Sequence, residues 1–393
     1  MRFPLSSRFV SRAETVLWAV VLAGFAAMLV FFVVFAGYML AGLGRALFAG
    51  RFVVTDFFAQ WSFARFAWEG HGALIYDPAA VHAYQLRLAP DLRQYFPYPY
   101  PPSFLLYIAI FGAVGFPAAL SAWMAGTFAL YLVALWPRES GWLARALVVL
   151  APAVASNLVY GQNGFLTAAL LVGGFRLLPA RPILAGVAFG LLSFKPQFGV
   201  LVPVALLAAG HWRAIGAAAA TVAGLVVVSG VAFGWHVWGE WFTYLPAHAN
   251  YLDATVNSYR KPTLQGALLL AGAGAGTARA VPFAVLAMAV PAVWWCFRVG
   301  SPLAVAVLVA GTFAGAPYGF LYDLPAVTAA AAMLLVARPQ SGWRLVDDAV
   351  VALALAVPAI MTLTSRFYWT GGVAMVLLFA LSFARAAPWR ARS

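Results

Sequence analysis

The chain has 393 residues, of which 64% are hydrophobic and only 9% charged, with a formal net charge of +13. A soluble fold cannot hide that much apolar surface, and in lipid every backbone polar group must be satisfied internally, so spanning helices are the default. Strand-type alternation that would suit a membrane barrel is absent, and no basic run interleaved with aromatics supports nucleic-acid binding. The excess of arginine instead follows the ends of apolar runs: Arg2, Arg8 and Arg12; Arg138 and Arg145; Arg176 and Arg181; Arg338 and Arg344; Arg385, Arg390 and Arg392. That placement is what the positive-inside rule expects of cytoplasmic loops. The expected fold class is an all-α polytopic integral membrane protein, with residues 1–393 forming a single membrane domain.

Met1–Arg12 followed by an apolar run has the outline of a signal sequence. Val16–Leu43 is too long for a cleavable core of roughly 7–15 residues, and reads as a retained first helix with its N-terminus in the cytoplasm. An outer-face segment, 44–117, follows. Within it Asp56 opens a polar, aromatic stretch running to Pro102, a carboxylate where a membrane helix meets an aqueous loop. Phe57, Trp61, Ala64 and Trp68 recur at helical spacing, as do Val81, Tyr84 and Leu88. Both stretches predict amphipathic helices lying on the bilayer. Tyr95–Pro102 alternates aromatic residues with proline, which fixes φ and favours an extended, stiff chain. Its rings either stack on sugars or anchor in the headgroup layer.

Runs of about 17–25 apolar residues can cross a membrane. Beyond the first helix the candidates are Ala118–Trp136, Leu143–Leu158, Phe165–Leu178, Ile183–Phe194, Phe198–Ala209, Ala214–Phe233, Val281–Phe297, Pro302–Ala316, Leu324–Ala337, Val346–Leu363 and Trp369–Ala384. Counting Pro102–Phe116 as a further crossing would put Arg138, Arg145, Arg176 and Arg181 outside, against the charge rule. It is therefore read as a helix on or partly in the outer leaflet, and Leu264–Ala275 likewise. The result is a bundle of about twelve spans with both termini inside and a second outer segment at 234–280. Asp56, Glu69, Asp77, Asp91, Glu240, Asp253 and Asp323 then all fall on the outer side, and no acid sits at mid-span, where ion-coupled transporters usually carry one. The single cysteine, Cys296, lies in an apolar helix and reads as a small buried hydrophobe.

The order of several short motifs resembles the GT-C membrane glycosyltransferases, and specifically glycosyltransferase family 87. They are Asp56 after the first helix, Tyr100-Pro101-Pro102, Gly161-Gln162-Asn163, Ala185-Gly186 with Gly190 and Lys195-Pro196, Asn257-Ser258, and Pro317-Tyr318 with Asp323. Two details depart from the pattern: the Gln and Asn of the Gly-Gln turn adjoin, and the second-loop element lacks its Gln. The resemblance implies an inverting transferase of the bacterial inner membrane, working on the periplasmic face. It would move a sugar, mannose by family habit, from a polyprenyl monophosphate donor to an envelope glycolipid or glycan. Asp56 would be the general base, which must lie within hydrogen-bond reach of the acceptor hydroxyl. Lys195, Arg260 and Lys261 would meet the donor phosphate, whose charge grows as it leaves. Gln162, Asn163, Tyr100, His248, Asn257, Tyr318 and Asp323 would contact sugar or acceptor. No cofactor is implied, and no metal: Asp56 has no second acid within three residues, and the five histidines show no metal-binding pair spacing.

Each role has a structural rival. Asp56 and Asp323 also suit helix caps, Lys195 also suits a side chain reaching to the interface, and Arg260-Lys261 suits a headgroup anchor. A carboxylate cluster of Asp56, Glu69 and Asp323 would suit a divalent cation. A transporter or flippase of lipid-linked saccharides, or a non-catalytic lipid-binding protein, are the competing functions. Inverted sequence halves would favour the transporter, and none is visible.

Overall fold

The computed structural model describes residues 56–92, 95–136, 142–254, 261–338, 344–364 and 367–386, together with parts of 15–37. The described residues are mostly helical, with no strand among them. Arg260, Asn257 and the segment Met1–Arg12 lie outside them. Among the described residues five helices are long and apolar enough to cross a membrane, Phe116–Leu135, Trp212–Phe233 and Ala275–Arg298 being three of them. The other expected spans are present as shorter apolar helices, so the expectation of twelve crossings exceeds what helix length alone supports.

The first described apolar helix, α1 (Val21–Phe31), precedes α2 (Asp56–Phe66). A surface helix should keep one polar face. Instead, from Phe57 to Phe66 only Arg65 of α2 escapes full burial, so the helix is covered by protein on all sides. It therefore does not lie on the bilayer as expected. Gly112 explains how it is covered: a Cβ there would stand 2.4 Å from the Ala64 carbonyl oxygen. Backbone meets backbone at that point, and the Trp61 indole donates to Val114 O at 3.0 Å. The helix ends in a wide turn, Ala67–His71, where Gly70 takes φ 88°, a conformation glycine adopts without penalty.

Asp77 caps α3 (Pro78–Leu88), accepting from the backbone N–H groups of Ala79 and Ala80. Near its end, buried Gln85 donates to Phe96 O at 2.9 Å and accepts from Phe96 N at 3.1 Å. This two-way clamp pins the aromatic–proline strip to the core. Pro102–Ala113 is one short apolar helical run, 3-10 at both ends around the short α4 (Leu105–Ile108). Phe104, Leu105 and Ile108 are buried there.

The bundle follows. α5 (Phe116–Leu135) packs along α8 (Gly164–Leu177), with α6 (Trp142–Leu150) and α7 (Pro152–Tyr160) between them in sequence. Every residue of α8 from Gly164 to Phe175 is buried, which makes it central. The Arg176 guanidinium donates to Ala134 O and Trp136 O at 2.8 and 2.9 Å, closing orphan carbonyls at the end of α5. α9 (Pro182–Leu191) leads through a 3-10 turn to α10 (Pro196–Gly199) and α11 (Val202–Ala209), then to the long α12 (Trp212–Phe233). The glycines of the Ala185-Gly186…Gly190 motif serve packing here. A Cβ at Gly186 would come 2.3 Å from Ala214 O, and one at Gly190 2.5 Å from Thr221 Cβ. Small residues at such crossings let membrane helices approach closely.

α13 (His236–Ala254) and α14 (Leu264–Leu270) precede α15 (Ala275–Arg298), α16 (Ala304–Gly315), α17 (Pro325–Ala337), α18 (Leu345–Leu363) and α19 (Thr370–Ala386). At one end of the bundle two buried acids gather distant helices. Asp348 accepts from Trp18 Nε1 at 2.9 Å and pairs with Arg338 at 2.8 Å. Asp347 pairs with Arg385 and accepts from Arg344 N at 2.7 Å. Buried carboxylates persist only when paired and hydrogen-bonded in this way.

Candidate active site

The site forms where four stretches converge. The first is the pinned strip: the Tyr76 hydroxyl donates to Tyr100 O at 2.5 Å, and the Tyr98 hydroxyl donates to Pro101 O at 3.1 Å. These bonds hold Tyr100 beside Phe104, with ring centroids 4.3 Å apart.

The second is the Gly161-Gln162-Asn163-Gly164 turn between α7 and α8. Gly161 ends α7 with φ 65°, a left-handed cap that glycine favours. Gly164 sits so close to the chain that a Cβ would be 1.7 Å from Tyr322 O. That contact fixes the turn against the third stretch, Ala316–Asp323. Gln162 accepts from Gln60 Nε2 at 2.6 Å, and Asn163 donates to the Tyr100 hydroxyl at 2.9 Å. Asn163 is wholly buried and holds the Tyr100 hydroxyl from the turn.

In the third stretch Asp323 is buried, accepting from Phe320 N at 3.0 Å through one oxygen and from Lys195 Nζ through the other. Lys195, equally buried, also lies 5.6 Å from the ring centroids of Phe198 and Tyr322. Its charge is thus partly neutralised within the protein, as a buried ammonium requires. The fourth stretch is α13, which presents Trp241, Leu245 and His248 to the cavity at spacings of four and three residues, one helix face.

The strip, the Ala316–Asp323 stretch and α13, together with the Phe194–Gln197 turn between α9 and α10, line a cavity of about 270 Å³, near the lower end for small-molecule sites. Tyr100, Phe194, Trp241, Tyr318, Phe320 and Tyr322 give it aromatic walls, and Lys195, Gln197, His248 and Asp323 give it polar groups. Burial, with the Lys261 charge adding to it, pushes the His248 imidazole down to about 4, so it is neutral near pH 7. Burial pushes the Tyr318 phenol up to about 12, with Asp323 contributing. The Tyr100 phenol is raised as well, first by burial and then by the nearby charges of Asp323 and Asp56. Both phenols are therefore protonated donors at neutral pH, suited to a neutral polyol.

Five expected site residues, Tyr100, Lys195, His248, Tyr318 and Asp323, meet in this one cavity. Gln162 and Asn163 are not among its lining residues. Lys261 is buried within electrostatic reach of His248. Asp56 begins α2, close enough to influence the Tyr100 hydroxyl but not among the cavity-lining residues. Asn257 and Arg260 lie outside the described residues. Among the described residues no three His, Cys, Asp or Glu side chains group as metal ligands, so Asp56, Glu69 and Asp323 do not form the carboxylate cluster considered above. The sequence reading missed Gln197, Trp241, Phe320 and Tyr322 as cavity residues. The spacing of Trp241, Leu245 and His248 was a usable signal. It is a face with one polar and two large apolar side chains on a helix expected outside the membrane.

An all-helical membrane bundle with one buried, aromatic-walled polar cavity is the framework of an enzyme acting on a polar group presented at a membrane. The sequence model of glycosyltransferase family 87 matches residues 98–322, more than half of the chain, and the chain belongs to that family. It is a membrane glycosyltransferase. The matched segment holds most of the cavity but stops just short of Asp323 and begins well after Asp56. No curated protein and no solved structure gives a significant match.

Proposed function

We propose that this protein transfers a sugar, mannose in the first instance, from a polyprenyl monophosphate to an envelope glycolipid or glycan on the periplasmic face. The observation that carries the reading is the convergence of Tyr100, Lys195, His248, Tyr318 and Asp323 on one aromatic-walled cavity. Aromatic faces suit the C–H faces of a pyranose, and neutral phenol and imidazole groups suit its hydroxyls. Lys195 supplies positive charge where the donor phosphate would develop negative charge.

In the proposed step an acceptor hydroxyl oxygen attacks the anomeric carbon from the face opposite the phosphate. The bond from that carbon to the phosphate oxygen breaks, the polyprenyl phosphate leaves with the electron pair, and the anomeric configuration inverts. The hydroxyl proton passes to a carboxylate. Both oxygens of Asp323 already hold partners, Lys195 and the Phe320 N–H. Asp56, at the N-terminus of α2 and near Tyr100, is the carboxylate assigned to the proton. Arg260, Lys261 and Asn257 complete the proposed phosphate and acceptor contacts from the second outer segment.

The test is transfer in nanodiscs from labelled polyprenyl-phosphate sugars (mannose, glucose, galactose, arabinose) to an envelope-lipid extract, with wild type and Asp56→Asn side by side. Labelled product from wild type and its loss in a folded Asp56→Asn support the reading. Equal transfer by both removes Asp56 as the base. Absence of transfer from every donor, with saccharide-lipid movement across the bilayer instead, would replace the transferase reading with the transporter one.

A further inference from the structure

Two side chains of the polar cavity carry a hydrogen-bonding atom that the protein itself leaves unused. Gln197 Oε1, on α10, and Trp241 Nε1, on α13, are buried atoms, and among the described residues neither has a partner. Both residues line the cavity. Elsewhere the same groups are paired. The Trp18, Trp61 and Trp238 indoles donate to Asp348, Val114 O and Ser229 Oγ, and the Gln85 amide clamps Phe96 through both its atoms. A buried indole N–H or amide oxygen ordinarily finds a partner, because a bare one keeps the cost of desolvation without the bond.

Packing holds both residues in place at the backbone. Phe198 stacks on Phe313 with ring centroids 4.6 Å apart, which fixes α10 beside Gln197. Trp241 meets Trp238 edge to face at 5.8 Å, and Trp238 is tied to Ser229. Each side chain is only half-buried as a whole, so a turn about its own torsions brings the polar atom to the cavity without moving the helix. The groups around them define what is missing. Tyr100 and Tyr318 are protonated phenols, Lys195 is an ammonium, and both oxygens of Asp323 hold partners. A hydroxyl that accepts from one of these donors still has its own hydrogen to place, and Gln197 Oε1 is an amide acceptor with nothing on it. The Trp241 N–H, a donor only, takes a hydroxyl oxygen. A polyol supplies both groups, and a hydrocarbon supplies neither.

We propose that Gln197 and Trp241 determine which sugar the cavity takes: Gln197 Oε1 accepts from one sugar hydroxyl, and the Trp241 N–H donates to the oxygen of a sugar hydroxyl. The proposal rests on the reading of the cavity as a lipid-phosphate sugar site and adds the two side chains that select among sugars. A site built to hydrogen-bond a hydroxyl rejects the analogue lacking it, because its own polar atom is then left bare.

The test pairs variants with donors that lack single hydroxyls. Polyprenyl-phosphate mannose and its monodeoxy forms are compared by kcat/KM in nanodiscs on wild type, Gln197→Met and Trp241→Phe, which remove the polar atom and keep most of the bulk. One deoxy donor should lose about tenfold on wild type and lose nothing further on Gln197→Met. Trp241→Phe should show the same cancellation for the hydroxyl it meets. Trp123→Phe and Thr312→Val remove bare polar atoms of residues that do not line this cavity, and should leave every donor ratio unchanged. A second readout needs no turnover. With the indole nitrogens isotopically labelled, the Trp241 N–H resonance is assigned by its absence from Trp241→Phe. It should move when citronellyl-phosphate mannose binds and stay put with citronellyl phosphate.

Losses of equal size across all donors, or an indole resonance indifferent to the sugar, would overturn the assignment. Should Gln197→Met or Trp241→Phe not fold, Gln197→Leu or Trp241→Leu takes its place. Transfer with donor ratios unaltered in both variants overturns the pair and leaves the transferase reading intact. If no donor is transferred, the resonance decides alone: movement with the sugar phosphate only keeps the pair while the transferase reading fails, and no movement overturns the pair.

Discussion

The Lys195–Asp323 pair offers the sharpest energetic test of how the cavity is built. Both side chains are buried, at 5% and 2% exposure, so neither charge is sustained by water. Asp323→Asn keeps an oxygen able to accept from Phe320 N–H and removes only the charge, leaving Lys195 as an ammonium without its carboxylate. Breaking a buried pair by removing one partner costs about 3–5 kcal/mol. A neutral hydrogen bond to the same group nets about 1 kcal/mol, so the charge accounts for most of the loss. Removing both charges, in Lys195→Met/Asp323→Asn, leaves no buried ion. The double variant should therefore be more stable than Asp323→Asn alone, with a coupling of at least about 2 kcal/mol. Reversible unfolding in mixed micelles, followed by far-ultraviolet circular dichroism, measures all four corners of the cycle. A loss below about 1 kcal/mol in Asp323→Asn, or costs that simply add, would refute the claim that the two charges depend on each other.

Gln60→Leu should lower kcat several-fold at near-constant KM, because it cuts the 2.6 Å bond to Gln162 that ties the Asp56 helix to the turn orienting Tyr100; steady-state kinetics separate the two terms. Gly164→Ala should abolish folding, since a Cβ would lie 1.7 Å from Tyr322 O, whereas Gly216→Ala, with nothing within 4 Å of its Cβ, should not; monodispersity on size exclusion reads both. His248 is depressed to about 4 from 6.5, so its folded state favours the neutral form. Its contribution to stability is complete above pH 6.5 and is lost as pH falls toward 4; His248→Gln should flatten that part of the stability–pH curve. Trp18→Phe should destabilise by about 1–3 kcal/mol, because it leaves Asp348 Oδ1 without its indole donor.

Residues that declare themselves by period or by backbone chemistry were legible in the sequence. The apolar runs from Ala118 to Ala384 reappear as helices with ends shifted by a few residues, and Asp56 does begin a helix. Burial of α2 was not legible. Its apolar positions look amphipathic when Gln60 and Ser62 are counted as exposed, yet inside the core Gln60 Nε2 donates to Gln162 and Ser62 Oγ to the Ala59 carbonyl. The same limit hid the Lys195–Asp323 pair, whose partners are 128 positions apart. Spacing reports only neighbours within a helix turn or a strand pleat. The glycines of the Ala185-Gly186…Gly190 motif show the opposite error, a motif noted beside Lys195 whose glycines serve the α9–α12 contact.

The central claim is that transfer takes place in the cavity between Tyr100, His248 and Asp323. The most direct measurement is an electron cryomicroscopy map of the protein in nanodiscs with a non-hydrolysable polyprenyl-phosphonate mannose. The account predicts sugar density against Tyr100 and Tyr318, the phosphonate beside Lys195, and the anomeric carbon turned toward Asp56. Density for the sugar outside this cavity, with the Lys195–Asp323 pair undisturbed, would contradict it.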